Sequence, residues 1–162
     1  MRKSVRLLLY SIFAAVAVIL DQISKVLVLR YIPLKGWVDA IPGVFHLTSV
    51  QNTGAAFSSF EGMRWLFVGI FVVLTAAVLF EYFKKPLPFA PFERWCLAAI
   101  YGGALGNVID RIRLGYVVDM ICVDFIDFPV FNVADCFITC GCFALMIHII
   151  FFNKNFWKDD KK

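Results

Sequence analysis

Two short segments of the chain each carry a single carboxylate in otherwise apolar surroundings. Asp119 lies in VVDM at 117–120, and Asp135 lies in FNVAD at 131–135. A carboxylate at the margin of a hydrocarbon layer is costly to hold there, so each is a functional candidate by default. Two carboxylates that converge suggest acid–base chemistry, in which one holds a proton while the other accepts one.

The composition indicates an integral membrane protein. Of the 162 residues, 61% are hydrophobic and only 17% are charged, which is far from the balance of soluble proteins. Four stretches are apolar enough to span a bilayer, at about 7–29, 65–83, 95–112 and 133–152. The fold class we predict is an all-α integral membrane protein with four transmembrane helices, forming a single membrane domain over residues 1–162.

The N-terminus has a competing interpretation as a secretory signal peptide, since basic residues precede an apolar run that contains AVA at 15–17. Cleavage there would leave an apolar core of about seven residues, which is the lower limit for such a peptide.

The basic residues predict the orientation of the chain. They lie at the N-terminus, in the second connection and in the tail: Arg2, Lys3, Arg6, Lys84, Lys85, Arg94, Lys154, Lys158, Lys161 and Lys162. The positive-inside rule places these three segments, and so both termini, in the cytoplasm. The outer loops, at about 30–64 and 113–132, then face outward together with both candidate carboxylates. The net charge of +4 belongs mainly to these anchors and argues against nucleic acid as a partner.

Polar residues also interrupt the outer ends of two predicted spans. Asp21 and Lys25 stand four apart on the first helix, either as a self-neutralising pair or as support for the site. Asn107, Asp110 and Arg111 follow at i, i+3 and i+4 on the third helix, which favours a site over a simple interfacial anchor. The preceding run GGALG at 102–106 has the spacing of small residues that packs helices closely.

The two outer loops carry further signals. Residues 45–48 alternate after the turn-like Pro42-Gly43 and predict a short strand. The segment 51–57 follows, with small residues such as Gly54 and with Asn52, whose amide could bind a peptide backbone. In the second loop, Asp119 is expected in irregular structure. The aromatic residues there are either an interfacial belt or a mobile flap over the site; they are Phe125, Phe128 and Phe131, with Pro129.

Other chemistries lack their residues. A zinc peptidase of the HExxH type is excluded, since the only histidines are His46 and His148. His148 lies thirteen residues beyond Asp135, about 20 Å deeper along a helix, and so cannot share the outer site. The five cysteines show no Cys-x-x-Cys spacing. We therefore expect no metal and no cofactor.

Five segments in chain order carry a resemblance to a known family. They are DQISK at 21–25, NTGAAF at 52–57, GGALGN at 102–107 with Asp110 and Arg111, VVD at 117–119 and FNVAD at 131–135. Together they resemble the lipoprotein signal peptidase family, signal peptidase II, over most of the chain. One departure is Cys136, where many members have Ser, and this does not affect the assignment of the carboxylates.

The resemblance implies a bacterial inner-membrane aspartic peptidase with four spans and an extracytoplasmic β-like cradle. Such enzymes remove the signal peptide from diacylglyceryl-modified prolipoproteins, cutting before the lipidated cysteine. Asp119 and Asp135 match the catalytic dyad. The surrounding motif positions are Asp21, Lys25, Asn52, Gly54, Asn107, Arg111, Asn132 and Ala134, and we add Asp110 as a supporting residue from its helix face. The expected partners are these prolipoproteins and membrane lipids, with the chain acting as a monomer.

Two points stay open at this level. Asn132 is either an N-cap of the last helix or an organiser of the site, and the two roles are compatible. A small polytopic transporter or lipid-binding membrane protein is the alternative function.

Within the dyad, the first turn of the last helix favours the charge on Asp135, while apolar cover favours the proton on Asp119.

Overall fold

The computed structural model of this chain describes residues 3–54, 60–83, 88–153 and 156, without the side chains of Lys3 and Glu81. Some of the predictions lie outside the described residues. These concern the segment 55–57 and the basic residues Arg2, Lys84, Lys85, Lys154, Lys158, Lys161 and Lys162.

Each of the four apolar stretches forms a helix. The helices are α1 (Lys3–Tyr31), α2 (Arg64–Phe83), α3 (Pro91–Arg113) and α4 (Val133–Phe151). Helix α3 begins four residues before the predicted 95, because proline suits the first helical position and the backbone N–H of Ala90 donates to the Glu93 carboxylate (2.6 Å). Hydrophobicity alone did not predict that the helix begins with the turn that contains Glu93.

Two stretches of described residues, Ser4–Tyr31 and Val133–Phe151, are long and apolar enough to cross a membrane by length and composition. Arg64–Phe80 is a shorter apolar helix, so crossings by α2 and α3 stay predictions. Large apolar side chains point away from the protein along α1 and α4, among them Leu8 and Ile150. An apolar surface of this extent requires an apolar surrounding.

Helix α3 packs against the three other helices, and its glycines allow close contact. A Cβ added to Gly102 would lie 2.7 Å from the carbonyl oxygen of Ala14 on α1. At Gly103 it would lie 2.5 Å from the carbonyl oxygen of Ala134, at the start of α4. The packing role predicted for the run at 102–106 is therefore confirmed, and it brings the start of α4 against the outer part of α3.

Outside the helices, three segments of the described chain form an antiparallel sheet. Its strands are β1 (Trp37–Ile41), β2 (Phe45–Asn52) and β3 (Val117–Val123), in the order β1-β2-β3. The turn at Pro42-Gly43 is present, with Gly43 at a φ of 74°. The chain is thus mostly helical with a small sheet, and the strand predicted at 45–48 is the first half of β2.

Placing Asp119 in irregular structure was wrong, since it lies in β3 opposite Val50 of β2. The physical reason is the apolar sequence around it. Val118 and Met120 pack on Val28 and Ile32 at the end of α1, and this buried contact holds the segment extended against the helix bundle.

The close contact at Gly103 leads to a stability prediction. Gly103→Ala should lower the free energy of unfolding by roughly 1–3 kcal/mol, the usual effect of overpacking, because backbone has to move. Thermal unfolding in detergent measures the change. Gly69→Ala on α2 is the matched control, since its added Cβ meets nothing within 4 Å. An unchanged Tm for Gly103→Ala would contradict the close approach of α3 and α4.

Candidate active site

Asn132 lies at the junction of the two candidate carboxylates. It is the N-cap of α4, where its side-chain oxygen accepts from the backbone N–H of Asp135 (3.0 Å) and its own N–H donates to the Asp135 carboxylate (3.1 Å). Its side-chain nitrogen donates to Oδ1 of Asp119 (2.6 Å). Both roles considered for Asn132, the cap and the organiser, are therefore present in one side chain.

Asp119 is held from its other side by the sheet. Asn52, at the end of β2, donates through Nδ2 to Oδ2 of Asp119 (2.8 Å). Its Oδ1 accepts from the backbone N–H of Gly54 (2.9 Å). We expected the Asn52 amide to be available for a peptide backbone, but its contacts here orient Asp119 and the chain that follows β2.

Asp135 accepts a second hydrogen bond, from a side-chain amide of α3. Nδ2 of Asn107 donates to Oδ1 of Asp135 (2.8 Å), while Oδ1 of Asn107 accepts from Nδ2 of Asn132 (3.2 Å). Asn132 thus contacts Asp119, Asp135 and Asn107. The two carboxylates converge because strand β3, helix α3 and the start of helix α4 meet at Asn132.

Arg111 extends the network toward the segment after β2. Its guanidinium donates to the carbonyl oxygens of Gly54 (2.8 Å) and Asn107 (3.4 Å). It also lies 4.3 Å from the ring centroid of Phe67 on α2, a distance typical of a cation–π contact. Arg111 therefore joins α2, α3 and the end of the sheet around the carboxylates.

Behind these residues lies a buried charged cluster. The Lys25 ammonium contacts Asp21 (2.8 Å) and Asp110 (2.9 Å), and it donates to Oδ1 of Asn107 (2.9 Å). Asp21 also accepts from the backbone N–H of Ala134 (3.0 Å), which ties α1 to the start of α4. A buried charge needs partners of this kind, because its desolvation is otherwise uncompensated.

A cavity of about 980 Å³ opens over the dyad. Its polar end has Asn52, Asn107 and Arg111 beside the two carboxylates. The rest of its wall is largely apolar and comes mainly from α2, α3 and α4, with Phe67, Ile70, Phe71, Leu74, Val108 and Ile138. An apolar chamber with a few convergent polar groups is the usual form of a ligand site.

Burial changes the acidity of Asp119, which is only 3% exposed. The pKa of Asp119 is raised from 3.8 to about 6, and desolvation is the main cause. The charge on Asp135 also raises this pKa, whereas hydrogen bonds from Asn52 and Asn132 and the charge on Lys25 lower it. Asp119 therefore has a physical reason to keep its proton at a higher pH than an ordinary carboxyl group.

The structure joins all the candidate residues from the sequence into one hydrogen-bonded network. Asn52, Asn107, Arg111, Asp119 and Asp135 border the cavity, whereas the others form the layer behind it. Asp110, which we predicted as a supporting residue, lies in this rear layer and also accepts from the backbone N–H of Val118 (3.2 Å).

Sequence reasoning missed Gln22 in the rear layer. Its side chain donates to Asp110 (3.0 Å) and to the carbonyl oxygen of Gly106 (3.2 Å). A polar amide inside an apolar helix, next to Asp21, was the signal that could have revealed it.

The aromatic loop before α4 forms one side of the cavity. Phe128 and Phe131 border it and pack edge to face at 5.8 Å, whereas Phe125 is mainly exposed. Phe131 is also bridged to Ile121 of β3. The position suits a flap, and its motion stays a prediction.

A second polar cluster lies at the opposite end of α3 and α4. The fully buried Glu93 carboxylate contacts Nδ1 of His148 (2.8 Å) and accepts from Nδ2 of Asn153 (2.8 Å). His148 is thus apart from the dyad, as expected, but its partner Glu93 was not foreseen. Among the described residues, no group of three or more His, Cys, Asp or Glu side chains is arranged to hold a metal ion.

The chain is similar to known proteins over most of its length. The profile of signal peptidase II matches residues 13–151. The lipoprotein signal peptidase of Streptococcus agalactiae serotype Ia is 40% identical over 157 residues, covering 96% of each chain. That of Symbiobacterium thermophilum is 41% identical over 141 residues, covering 86% of this chain and 92% of its own.

Solved structures give the same result at the level of the fold. A bacterial membrane enzyme solved by the in meso method at 2.3 Å superposes with a TM-score of 0.80 at 30% identity, over 94% of this chain and 93% of that one. A second bacterial membrane enzyme, solved by the same method at 1.9 Å, superposes with a TM-score of 0.78 at 30% identity. The superposition covers 88% of this chain and 93% of that one. Because the profile and the relatives both extend over most of the sequence, the chain belongs to the signal peptidase II family.

Proposed function

We propose that this protein is an intramembrane aspartic endopeptidase that removes the signal peptide from diacylglyceryl-modified prolipoproteins and cuts before the lipidated cysteine. The observation that carries the proposal is that both carboxylates accept hydrogen bonds from one residue, Asn132, at the polar end of an otherwise apolar cavity. Asp119 accepts from its side-chain nitrogen, and Asp135 accepts from its backbone N–H. Membership of a peptidase family favours this reading over the alternative of a transporter or lipid-binding protein.

In the proposed reaction the two carboxylates share one proton. Two adjacent carboxylates do not both ionise easily, so the pair titrates as a unit. Asp135 accepts hydrogen bonds at the first turn of α4, where the helix dipole also favours its negative charge. Asp119, buried in the sheet, keeps the proton. Asp135 is then the base and Asp119 the acid.

The chemical step needs only water and these two groups. Asp135 takes a proton from water while the water oxygen adds to the scissile carbonyl carbon, and protonated Asp119 donates to the carbonyl oxygen. A tetrahedral diol results. Asp135, which now holds the proton taken from water, passes it to the leaving nitrogen, while Asp119 takes a proton back from a hydroxyl of the diol as the carbon–nitrogen bond breaks. The products are the signal peptide with a new carboxyl terminus and the new N-terminal amine of the lipidated cysteine.

The apolar wall supports the lipid part of the proposal. Side chains such as Phe71, Leu74 and Ile138 offer a surface for acyl chains and an apolar signal peptide. Each methylene removed from water contributes roughly 0.8 kcal/mol. Two or three methylenes recognised in this way already correspond to more than about tenfold in affinity.

The proposed setting is the bacterial inner membrane, crossed four times, with both termini in the cytoplasm and the dyad near the outer face. The sheet and the dyad lie at the same ends of α1, α3 and α4, which supports one shared level for the site. Both carboxylates come from one chain, so the chain is proposed to act as a monomer.

The test of the function is cleavage by the purified protein in detergent or lipid. A diacylglyceryl-modified precursor should be cut before its cysteine, and an unmodified precursor at least about tenfold more slowly, given the acyl contribution. Asp119→Asn and Asp135→Asn should each lose at least about a hundredfold in rate, since acid–base catalysis contributes that much or more.

Asp39→Asn is the matched control for these variants. Asp39 is an exposed carboxylate in β1 of the same sheet, away from the cavity, so its loss should leave cleavage unchanged. Robust turnover by either dyad variant would contradict the assignment of the dyad, and equal rates on the two precursors would contradict recognition of the lipid.

The acidity of Asp119 predicts the pH dependence. Because desolvation raises the pKa of Asp119 to about 6, kcat/KM should fall as pH rises through that region, where the acid loses its proton. At lower pH, protonation of the second carboxylate should produce a rising limb and a bell-shaped profile. A rate that does not vary with pH, with chemistry limiting, would rule out a shared proton.

The orientation can be tested with the cysteine of the sheet. Cys122 in β3 is partly exposed, so a membrane-impermeant thiol reagent should label it in intact spheroplasts and should not label a cysteine introduced at 161. Cys122→Ser should abolish that labelling. Labelling of position 161 alone would place the dyad on the cytoplasmic side.

A further inference from the structure

The Lys25 ammonium has one acceptor for each of its three N–H groups. They are a carboxylate oxygen of Asp21, one of Asp110 and the amide oxygen of Asn107, all at 2.8–2.9 Å. The Lys25 side chain is 3% exposed, so water does not compete for these donors. Two of the acceptors balance its charge, whereas the third belongs to the residue that contacts Asp135.

This third contact is the shorter of two that fix which way the Asn107 amide faces, since Nδ2 of Asn132 also donates to its oxygen at 3.2 Å. An ammonium has donors only, so an amide oxygen can face it and an amide NH₂ group cannot. With Oδ1 facing Lys25, Nδ2 has to face the opposite side, where it donates to Asp135 at 2.8 Å. Without Lys25, the oxygen keeps only the longer, uncharged contact from Asn132, which holds the amide less firmly.

As a consequence, Nδ2 of Asn107 is held in position to donate to Asp135. A hydrogen bond from an amide favours a carboxylate in its charged form. The ammonium on the amide oxygen also polarises the amide and strengthens this donor. The amide donors of Asp119, Asn52 and Asn132, are also held in one direction, but by a backbone N–H that carries no net charge, so they lack this added polarisation.

We propose that Lys25 is a positioning residue for the dyad, one that acts through Asn107 to keep the negative charge on Asp135 and the shared proton on Asp119. The inference rests on the proposed function and deepens it, since it names what makes the two carboxylates unequal. Lys25 itself does not border the cavity and has no part in the bond-breaking step.

Several other charged or titratable groups face the dyad or its supporting layer. They are Asp21 from α1, Asp110 and Arg111 from α3, Cys136 from α4, and Glu61 and Asp127 from the loops that border the cavity. A test of Lys25 therefore has to separate the direction of the amide from a change in total charge.

The double variant Lys25→Met/Asp110→Asn makes this separation, because it removes one positive and one negative charge from the same cluster. We expect the rising limb of kcat/KM to move up by about one pH unit, the size expected for the loss of one hydrogen bond to a charged group. The falling limb should move less, because the charge on Lys25, which lowers the pKa of Asp119, is removed together with the opposite charge on Asp110. The bell-shaped profile then narrows from its acidic side.

Asp110→Asn alone is the matched control, since it keeps the ammonium on Asn107. Its rising limb should not move up. Lys25→Arg should also keep the wild-type limb, because a guanidinium has donors only. If the double variant does not fold, as judged by thermal unfolding, Lys25→Gln replaces it. Its amide still donates to the carboxylates but places no positive charge on the Asn107 oxygen, and a shift in the same direction is expected.

A rising limb at the wild-type pH in either folded variant, even with a lower kcat, would overturn the proposal and leave Lys25 a purely structural role. This outcome differs from failure of the proposed function, in which the wild-type protein itself would not cleave the lipidated precursor.

Discussion

One end of the Asn132 side chain caps helix α4 and the other end donates to Asp119. The backbone N–H of Asn132 also donates to the Asp135 carboxylate, so one residue makes hydrogen bonds both to the start of helix α4 and to the middle of strand β3. The other parts of the site follow from this junction. Helix α3 has to approach closely enough for Asn107 to reach it, and the glycines at 102 and 103 allow that approach.

Polar groups at the edge of an apolar bundle are stable only when they are paired. Among the described residues, no buried side-chain nitrogen or oxygen lacks a hydrogen-bond partner. The charged cluster around Lys25 shows how this is reached, since two carboxylates, an ammonium and several amides satisfy one another without water. Pairing of this kind gives the site a single arrangement, so it is formed before any substrate arrives.

Much of the architecture was predictable because charge is rare in this sequence. The helices followed from four apolar stretches, and Asp119 and Asp135 stood out as carboxylates in apolar segments. The strand around Asp119 was not predictable, since a short apolar run fits a strand or a loop equally until its packing on α1 is known.

The hydrogen-bond and ion-pair partners within the network could not be predicted from the sequence either. Lys25 was expected to pair with Asp21 on its own helix, yet it also reaches Asp110 and Asn107, which are more than eighty residues away. Such contacts depend on the distance between helices, which local spacing does not encode. Glu93 was missed for a related reason, because it precedes an apolar stretch and its partners lie at the far end of the chain.

The cluster of Glu93, His148 and Asn153 has a mechanical consequence. Glu93 and Asn107 are fourteen residues apart on α3, or about 21 Å at 1.5 Å per residue. Helices α3 and α4 are therefore fastened to each other at both ends, and neither can slide along the other without breaking a polar cluster. Between these two clusters, helices α3 and α4 should therefore move together as one rigid unit. Helix α2 also lines the cavity but belongs to neither cluster, so we expect adjustment to substrates of different bulk to occur there.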